Sequence, residues 1–201
     1  MIKPTSPSRL AVRQGGFTLI EVMVSIAIVT ITAVNVLSVF CLAVAATQTS
    51  QQDMLARQIA SEAMESIFTA RNTSQLSWSA IQNVSNGGIF VDNAVPVKCA
   101  GPDGIIGTAD DSNCLTASGA VCPGGAQCMT EPGRDGIVGT ADDIIVPMNN
   151  FTRQIQITPL FDSQGNQIPT LNSVTITVRY NVSNTAIPKS YVLNEYVSQY
   201  H

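Results

Sequence analysis

Histidine is almost absent from this chain, since its one histidine is residue 201. No serine or cysteine therefore has a histidine beside it, and no glycine-rich loop that opens a helix is present to hold a phosphate. Charged residues make up only 12% of the chain and include no basic run of the kind that contacts nucleic acid. We therefore expect neither an enzyme nor a nucleic-acid-binding protein.

Charge is scarcest between residues 17 and 46, where Glu21 is the only charged residue among thirty. A helix of that length rises about 45 Å, which exceeds the ~30 Å hydrocarbon core of a bilayer. A cleaved secretory signal has a shorter apolar core of about 7–15 residues. Lys3, Arg9 and Arg13 precede the segment, so the positive-inside rule predicts a cytoplasmic N-terminus and an exported remainder. The segment 17–46 is thus predicted to be a transmembrane helix.

The residues from Gln14 to Glu21, QGGFTLIE, open this helix behind a short basic leader. They resemble the processing site of type IV prepilins and of the pseudopilins of type II secretion. The resemblance implies that a prepilin peptidase cuts after Gly16, removes residues 1–16 as a leader and methylates the new amine of Phe17. It also implies that the Glu21 carboxylate serves assembly with other pilin or pseudopilin subunits.

An acidic side chain in a lipid-facing helix needs a physical explanation, because it costs about 2.5–3.5 kcal/mol on insertion scales. The resemblance supplies a partner for Glu21 in the α-amino group of a neighbouring subunit. The alternative is that Glu21, which lies near the start of the helix, reaches out to the lipid headgroups.

Helical periodicity continues through residues 47–75. Apolar side chains lie on one half of a helical wheel: Leu55, Ile59, Ala60, Ala63, Met64 and Ile67. Polar side chains lie on the other half: Arg57, Gln58, Ser61, Glu62 and Glu65. One helix from about Phe17 to Asn72 is predicted, with its second half against a globular domain of residues 76–201. No proline occurs between Pro7 and Pro96, so this helix lacks the proline kink of many major pilins.

The C-terminal third predicts a β-sheet. Residues 151–157 and 174–180 alternate apolar and polar side chains, a turn-rich segment at 162–166 separates them, and residues 191–197 form a further strand. Short connections favour an antiparallel meander. The expected fold class is α+β and pilin-like, with a long N-terminal α-helix, its first half transmembrane, packed on a C-terminal antiparallel sheet.

An eleven-residue repeat lies within a Cys-, Asp- and Gly-rich loop at 98–147. Nine positions are identical between GPDGIIGTADD at 101–111 and GRDGIVGTADD at 133–143. Asp-Gly and Gly-Thr pairs favour tight turns, which is one interpretation. The other is a calcium site, since each copy supplies three hard oxygen donors. The candidate ligands are Asp103, Asp110 and Asp111 in the first copy and Asp135, Asp142 and Asp143 in the second.

The five cysteines fall into two groups. Cys41 lies in the membrane helix, where a thiol behaves as a small apolar residue. The other four are predicted to form two disulfides in an oxidising compartment, because they lie on the exported side: Cys99, Cys114, Cys122 and Cys128. Three pairings are possible, and pairing of sequence neighbours would close a loop around the first repeat. Zinc is the alternative, although the spacing lacks paired Cys-x-x-Cys.

Two functional hypotheses of different class follow from these patterns. The first is a structural subunit of a type IV pilus-like filament in a bacterial inner membrane, a minor or tip-proximal pilin given its long loop region and its helix without proline. A type II secretion pseudopilin or a major pilin is the alternative within that class. The second hypothesis is a membrane-anchored, exported calcium-binding module that forms no polymer.

Overall fold

A computed structural model of the chain describes residues 16–181 and 188–200. Of the predicted leader, only Gly16 lies within these residues. The chain divides into two compact units, Met1–Thr47 and Gln48–His201. The first unit is described with the site below, and the second contains the sheets and the hydrophobic core.

The chain's one described α-helix, α1, spans Leu19–Asn72 and therefore begins within two residues of the predicted start. Thr18 precedes it, and the Thr18 Oγ1 accepts the Glu21 N–H at 3.4 Å, as a capping residue does. The helix ends where Ser74 adopts a positive φ of 57°, while the N–H groups of Gln75 and Leu76 donate to the Ala70 carbonyl.

The apolar face predicted for the second half of α1 is the face that the protein buries. Its buried residues recur every three or four positions: Ala56, Ile59, Ala60, Ala63, Met64, Ile67 and Ala70. Four of these seven are alanine, which allows a packed layer to approach the helix backbone closely. The polar residues predicted for the opposite face, from Arg57 to Glu65, are all exposed.

Four antiparallel strands form the main sheet, in the order β1, β4, β5 and β6. Their bounds are Val95–Pro96 for β1, Phe151–Phe161 for β4, Gln167–Tyr180 for β5 and Lys189–Ser198 for β6. A second antiparallel pair joins β2, Cys128–Glu131, to β3, Ile144–Pro147. The predicted meander is thereby confirmed, with longer strands than the alternation indicated. The hairpin β2–β3 lies inside the segment that the sequence predicted to be loop.

The inward face of the main sheet completes the core around α1. Alternate residues of β4 and β5 are buried: Phe151, Arg153, Ile155, Ile157, Val174, Ile176, Val178 and Tyr180. Full burial of one Val or Ile side chain contributes about 1.5–3 kcal/mol to the stability of the folded state. The inward face of the sheet and the buried face of α1 therefore provide most of the hydrophobic stabilisation of this unit. Arg153 is the exception in this apolar row, and its partner belongs to the first repeat.

One asparagine extends the hydrogen bonding of β4 beyond the short strand β1. The Asn83 side chain is buried, and its Nδ2 donates to the Ile155 carbonyl at 2.8 Å while its Oδ1 accepts the Ile157 N–H at 2.7 Å. These two bonds are the ones a paired strand would make. Asn83 therefore attaches the segment that contains the short 3-10 helices Trp78–Ala80 and Val84–Asn86 to the edge of the sheet.

Candidate processing and assembly site

The junction around Gly16 is where backbone geometry changes from non-helical to helical. Gly16, Phe17 and Thr18 precede α1, and Glu21 lies in its first turn. A carboxylate in the first turn interacts favourably with the positive end of the helix dipole. Phe17 is 82% exposed and Glu21 is also exposed, so both groups are accessible to another protein.

Beyond this junction, the first half of α1 presents apolar side chains on every side. The large apolar residues from Phe17 to Val44 are exposed, most of them by more than half of their surface. Exposing so large an apolar surface to water is unfavourable. Such a surface indicates contact with a membrane or with another protein. By length and composition α1 could cross a membrane.

The hydroxyl groups of this segment are hydrogen-bonded within the helix itself. Each donates to a backbone carbonyl three or four residues earlier: Ser25, Thr30, Thr32, Ser38 and Thr47. A hydroxyl satisfied in this way carries little cost in an apolar environment, because no donor is left unpaired. Most of these residues lie in the predicted membrane segment 17–46, and their hydrogen-bond partners there are carbonyl groups of the same helix.

A short processing-type junction, an acidic residue in the first helical turn and an exposed apolar helix together fit membrane anchoring and assembly. Residues 12–34 match the family model of the prokaryotic N-terminal methylation motif. This is the prepilin-type signal of type IV pilins and pseudopilins, so the predicted resemblance is confirmed. The match supports an exported, pilin- or pseudopilin-like structural subunit. No curated protein and no solved structure matches the chain.

Two disulfides close loops of the second unit, joining Cys99 to Cys114 and Cys122 to Cys128. The structure thus has the pairing of sequence neighbours among the three possible ones, which leaves none of these four thiols to coordinate zinc. Cys41 is free and exposed on the apolar part of α1. Closing a loop of about 15 residues contributes roughly 3 kcal/mol in the chain-entropy description, so the first disulfide is a substantial constraint.

Alkylation of the unfolded, unreduced protein should therefore modify one thiol. We expect a single adduct at Cys41, rising to five adducts after reduction, because the other four cysteines are oxidised. Peptide mass spectrometry locates the adducts. A Cys41→Ser variant is the matched control and should take up no reagent before reduction. Adducts on Cys99 or Cys122 in unreduced protein would contradict the assigned bonds.

The two repeats adopt the same local structure, as their identity predicts. In each, the first aspartate accepts the N–H of the residue two positions later, at 2.8 Å for Asp103 and 2.9 Å for Asp135. The second aspartate accepts the N–H of the first, at 3.3 Å in both copies, through Asp110 and Asp142. Neighbouring hydroxyls also donate to Asp110 and Asp142, and these bonds hold the pKa of both carboxyls below the ordinary value.

Glycines permit this repeated turn. The first glycine of each copy, Gly101 and Gly133, lies so close to the carbonyl of the second aspartate that a Cβ would be 2.2 Å from its oxygen. Gly107 and Gly139 have φ values of 89° and 97°, a conformation that L side chains rarely adopt. Each copy is therefore a tight turn whose aspartates accept backbone N–H groups.

The calcium interpretation is not supported by this geometry. Within residues 16–181 and 188–200, no group of three His, Cys, Asp or Glu side chains is arranged to hold a metal ion. The predicted calcium ligands instead accept hydrogen bonds from N–H and hydroxyl groups of their own repeat: Asp103, Asp110, Asp111, Asp135, Asp142 and Asp143. These hydrogen bonds are the ones expected if each repeat is a tight turn.

The third aspartate of the first repeat also forms an ion pair inside the second unit. Asp111 Oδ2 lies 3.8 Å from Arg153 Nη2 on β4, and the two side chains are 7% and 1% exposed. Burial raises the pKa of Asp111, while hydrogen bonds from the Gly107 and Thr108 N–H groups and the charge of Arg153 oppose that shift. Burial likewise lowers the pKa of Arg153, opposed by Asp111 and Glu62. This pair could not be predicted from the sequence, because the two residues are far apart in the chain.

Proposed function

We propose that this chain is a structural subunit of a type IV pilus-like filament. It is anchored in a bacterial inner membrane by residues 17–46 with its N-terminus cytoplasmic, is cut after Gly16 and then assembles through α1. The observation that carries the proposal is the methylation motif at 12–34, which coincides with the start of an exposed apolar helix. In this proposal residues 47–75 continue the helix and residues 76–201 form the exported domain.

Glu21 is the assembly residue in this proposal. Its carboxylate is exposed in the isolated subunit, on a helix whose surroundings after assembly are apolar. The N-methylated amine of Phe17 from a neighbouring subunit is a partner that processing itself creates. Pairing the two leaves neither charge uncompensated in a region of low dielectric constant.

Within this class we propose a minor or tip-proximal pilin. Two features support that choice: the long disulfide-bonded segment 98–147 and the absence of proline from residues 8–95. A secretion pseudopilin and a major pilin have the same N-terminal requirements. The genes beside this one distinguish a pilus from a secretion machine, and the ratio of this chain to other subunits in sheared filaments distinguishes minor from major.

Processing is the direct test of the proposal. Protein recovered from cells that contain a prepilin peptidase should begin at Phe17 and carry a methylated amine. The same chain from a strain without the peptidase, the matched control, should begin at Met1. N-terminal sequencing and intact mass measure both properties. Full-length chain in both strains would remove the main support for a filament subunit.

A further inference from the structure

The two repeats share one local structure but differ in what their apolar residues contact. In the first copy, Ile105 is 1% exposed and Ile106 is 6% exposed, and both belong to the hydrophobic core. In the second copy the equivalent residues, Ile137 and Val138, are 62% and 54% exposed. An identical turn therefore directs one apolar pair into the protein and the other into solvent.

The first copy shows what surface this turn fits. The Ile106 N–H donates to the Ser66 Oγ of α1 at 3.1 Å, so the turn lies against the helix. Gly107 packs so closely on β4 that a Cβ there would be 2.3 Å from the Ile155 Cδ1. At the end of the turn, Asp111 meets Arg153. The complementary surface is thus an apolar cleft with a hydroxyl group and a guanidinium.

The second copy lacks those partners but keeps the groups that would meet them. It connects β2 to β3 and so forms the loop of a hairpin. Asp143 corresponds to Asp111, the carboxylate that pairs with an arginine in the first copy, and Asp143 is only partly buried. Its Oδ2 atom accepts the Gly139 N–H, and among the described residues no basic group is paired with this carboxylate.

We propose that the second repeat is a docking element for a different subunit of the filament. Its partner presents an apolar cleft that receives Ile137 and Val138 and an arginine or lysine that pairs with Asp143. This inference rests on the proposed function and adds an exported contact to the contact made by α1. An acidic chain, with 14 acidic and 10 basic side chains, is suited to a basic partner surface.

A second copy of this chain does not offer the same cleft. Its own Ile105 and Ile106 fill the equivalent surface, and its Arg153 is paired with its own Asp111. Docking between identical chains would require the first repeat to leave the core. The partner is therefore a chain of another sequence, and a homodimeric contact becomes an outcome that the test can reveal.

Crosslinking in the intact cell tests this contact. The photoreactive residue p-benzoylphenylalanine replaces Ile137 in the full-length chain, and also replaces Val121 as a matched control, since Val121 is 58% exposed on another loop. We expect position 137 to give one heterologous adduct, in both the membrane and the filament fractions. Peptide mass spectrometry should place that adduct in an apolar surface beside an arginine or lysine. Adding Asp143→Asn should lower its yield.

A paired substitution measures the contribution of the contact to assembly. Ile137→Asp combined with Val138→Asp should lower the ratio of filament to membrane protein about tenfold or more, as the loss of an interface anchor does. Val121→Asp should not. Because the residues are exposed, domain melting should stay within about 2 °C of wild type, which separates docking from folding.

Several results would overturn the docking proposal. They are an adduct only with a second copy of this chain, an adduct on a surface without a basic side chain, no adduct in either fraction, or normal filament entry of the paired variant. A wild-type chain that keeps its leader and never enters filaments overturns the proposed function instead. In that case the adduct from position 137 in the membrane fraction still decides whether the second repeat docks.

Discussion

Glu21→Gln is expected to lower the entry of this chain into filaments by a hundredfold or more, while insertion and cutting remain. Insertion survives because the change removes a charge from an apolar helix. Cutting survives because the peptidase is expected to recognise chiefly Gly16. Assembly fails because the amine of Phe17 on the adjoining subunit loses its anionic partner in a dry environment. An uncompensated buried charge costs about 3–5 kcal/mol, and each 1.4 kcal/mol is a factor of ten.

The measurement is the ratio of variant protein in sheared filaments to that in the membrane fraction, with wild type as reference. For a secretion pseudopilus, crosslinked complexes replace the sheared filaments. Glu65→Gln is the matched control, because it removes the same charge from an exposed position farther along α1. Its ratio should stay near that of wild type. Equal ratios for Glu21→Gln and wild type would indicate that Glu21 only reaches to the headgroups.

Sequence reasoning succeeded where a local period specifies the buried face. The i, i+3, i+4 spacing from Ile59 to Ile67 identified the packed side of α1, and alternation identified the inward residues of β4 and β5. The disulfides were also predictable in number, since four exported cysteines lie close together in the chain. Their pairing was not, because it depends on how the loops fold.

Burial could not be predicted from the sequence where two residues have the same neighbours in the chain and only tertiary contacts make one of them buried. Nothing in the eleven-residue repeats indicates that Ile105 is buried while Ile137 is exposed, since the turns are the same. The difference arises from long-range partners, Ser66 on α1 and Arg153 on β4, which only the first copy meets. Likewise, Asn83 extends the hydrogen bonding of β4 through its side chain, and no strand pattern predicts that role.

The contact between Asp111 and Arg153 leads to a second large effect, on the stability of the exported domain. Asp111→Asn should reduce the free energy of unfolding by about 3 kcal/mol, because it leaves a buried guanidinium without its carboxylate. The asparagine Oδ1 can still accept the N–H groups of Gly107 and Thr108, so the turn is retained. Glu62 continues to favour the charged form of Arg153. The expected loss of unfolding free energy is therefore at the lower end of the ~3–5 kcal/mol that breaking a buried ion pair costs.

The second repeat provides the matched control for this loss. Asp143→Asn removes the same charge from the same turn, but Asp143 is not paired with an arginine in the described structure. Its cost should be within about 1 kcal/mol, because the change leaves no buried guanidinium without a carboxylate. Unfolding in urea, followed by the fluorescence of Trp78, the only tryptophan, gives both values on the full-length chain in detergent. Equal losses at the two positions would contradict a special role for Arg153.

Replacing both partners should restore most of the stability that the single change removes. The pKa of Asp111 is raised and that of Arg153 is lowered, both chiefly by burial, so each charge is held in the core at a cost that the other only partly offsets. Because folding raises the pKa of Asp111, ionisation of this carboxyl lowers the free energy of unfolding as the pH rises from about 3.8 to the raised pKa, and this loss is constant at higher pH. Arg153→Met removes the second charge and fills its volume with apolar atoms. We therefore expect Asp111→Asn with Arg153→Met to unfold within about 1 kcal/mol of wild type, since apolar replacement of a buried pair is often neutral. A double variant as unstable as the single one would mean that the ion pair itself, and not the isolated arginine, determines the stability of this contact.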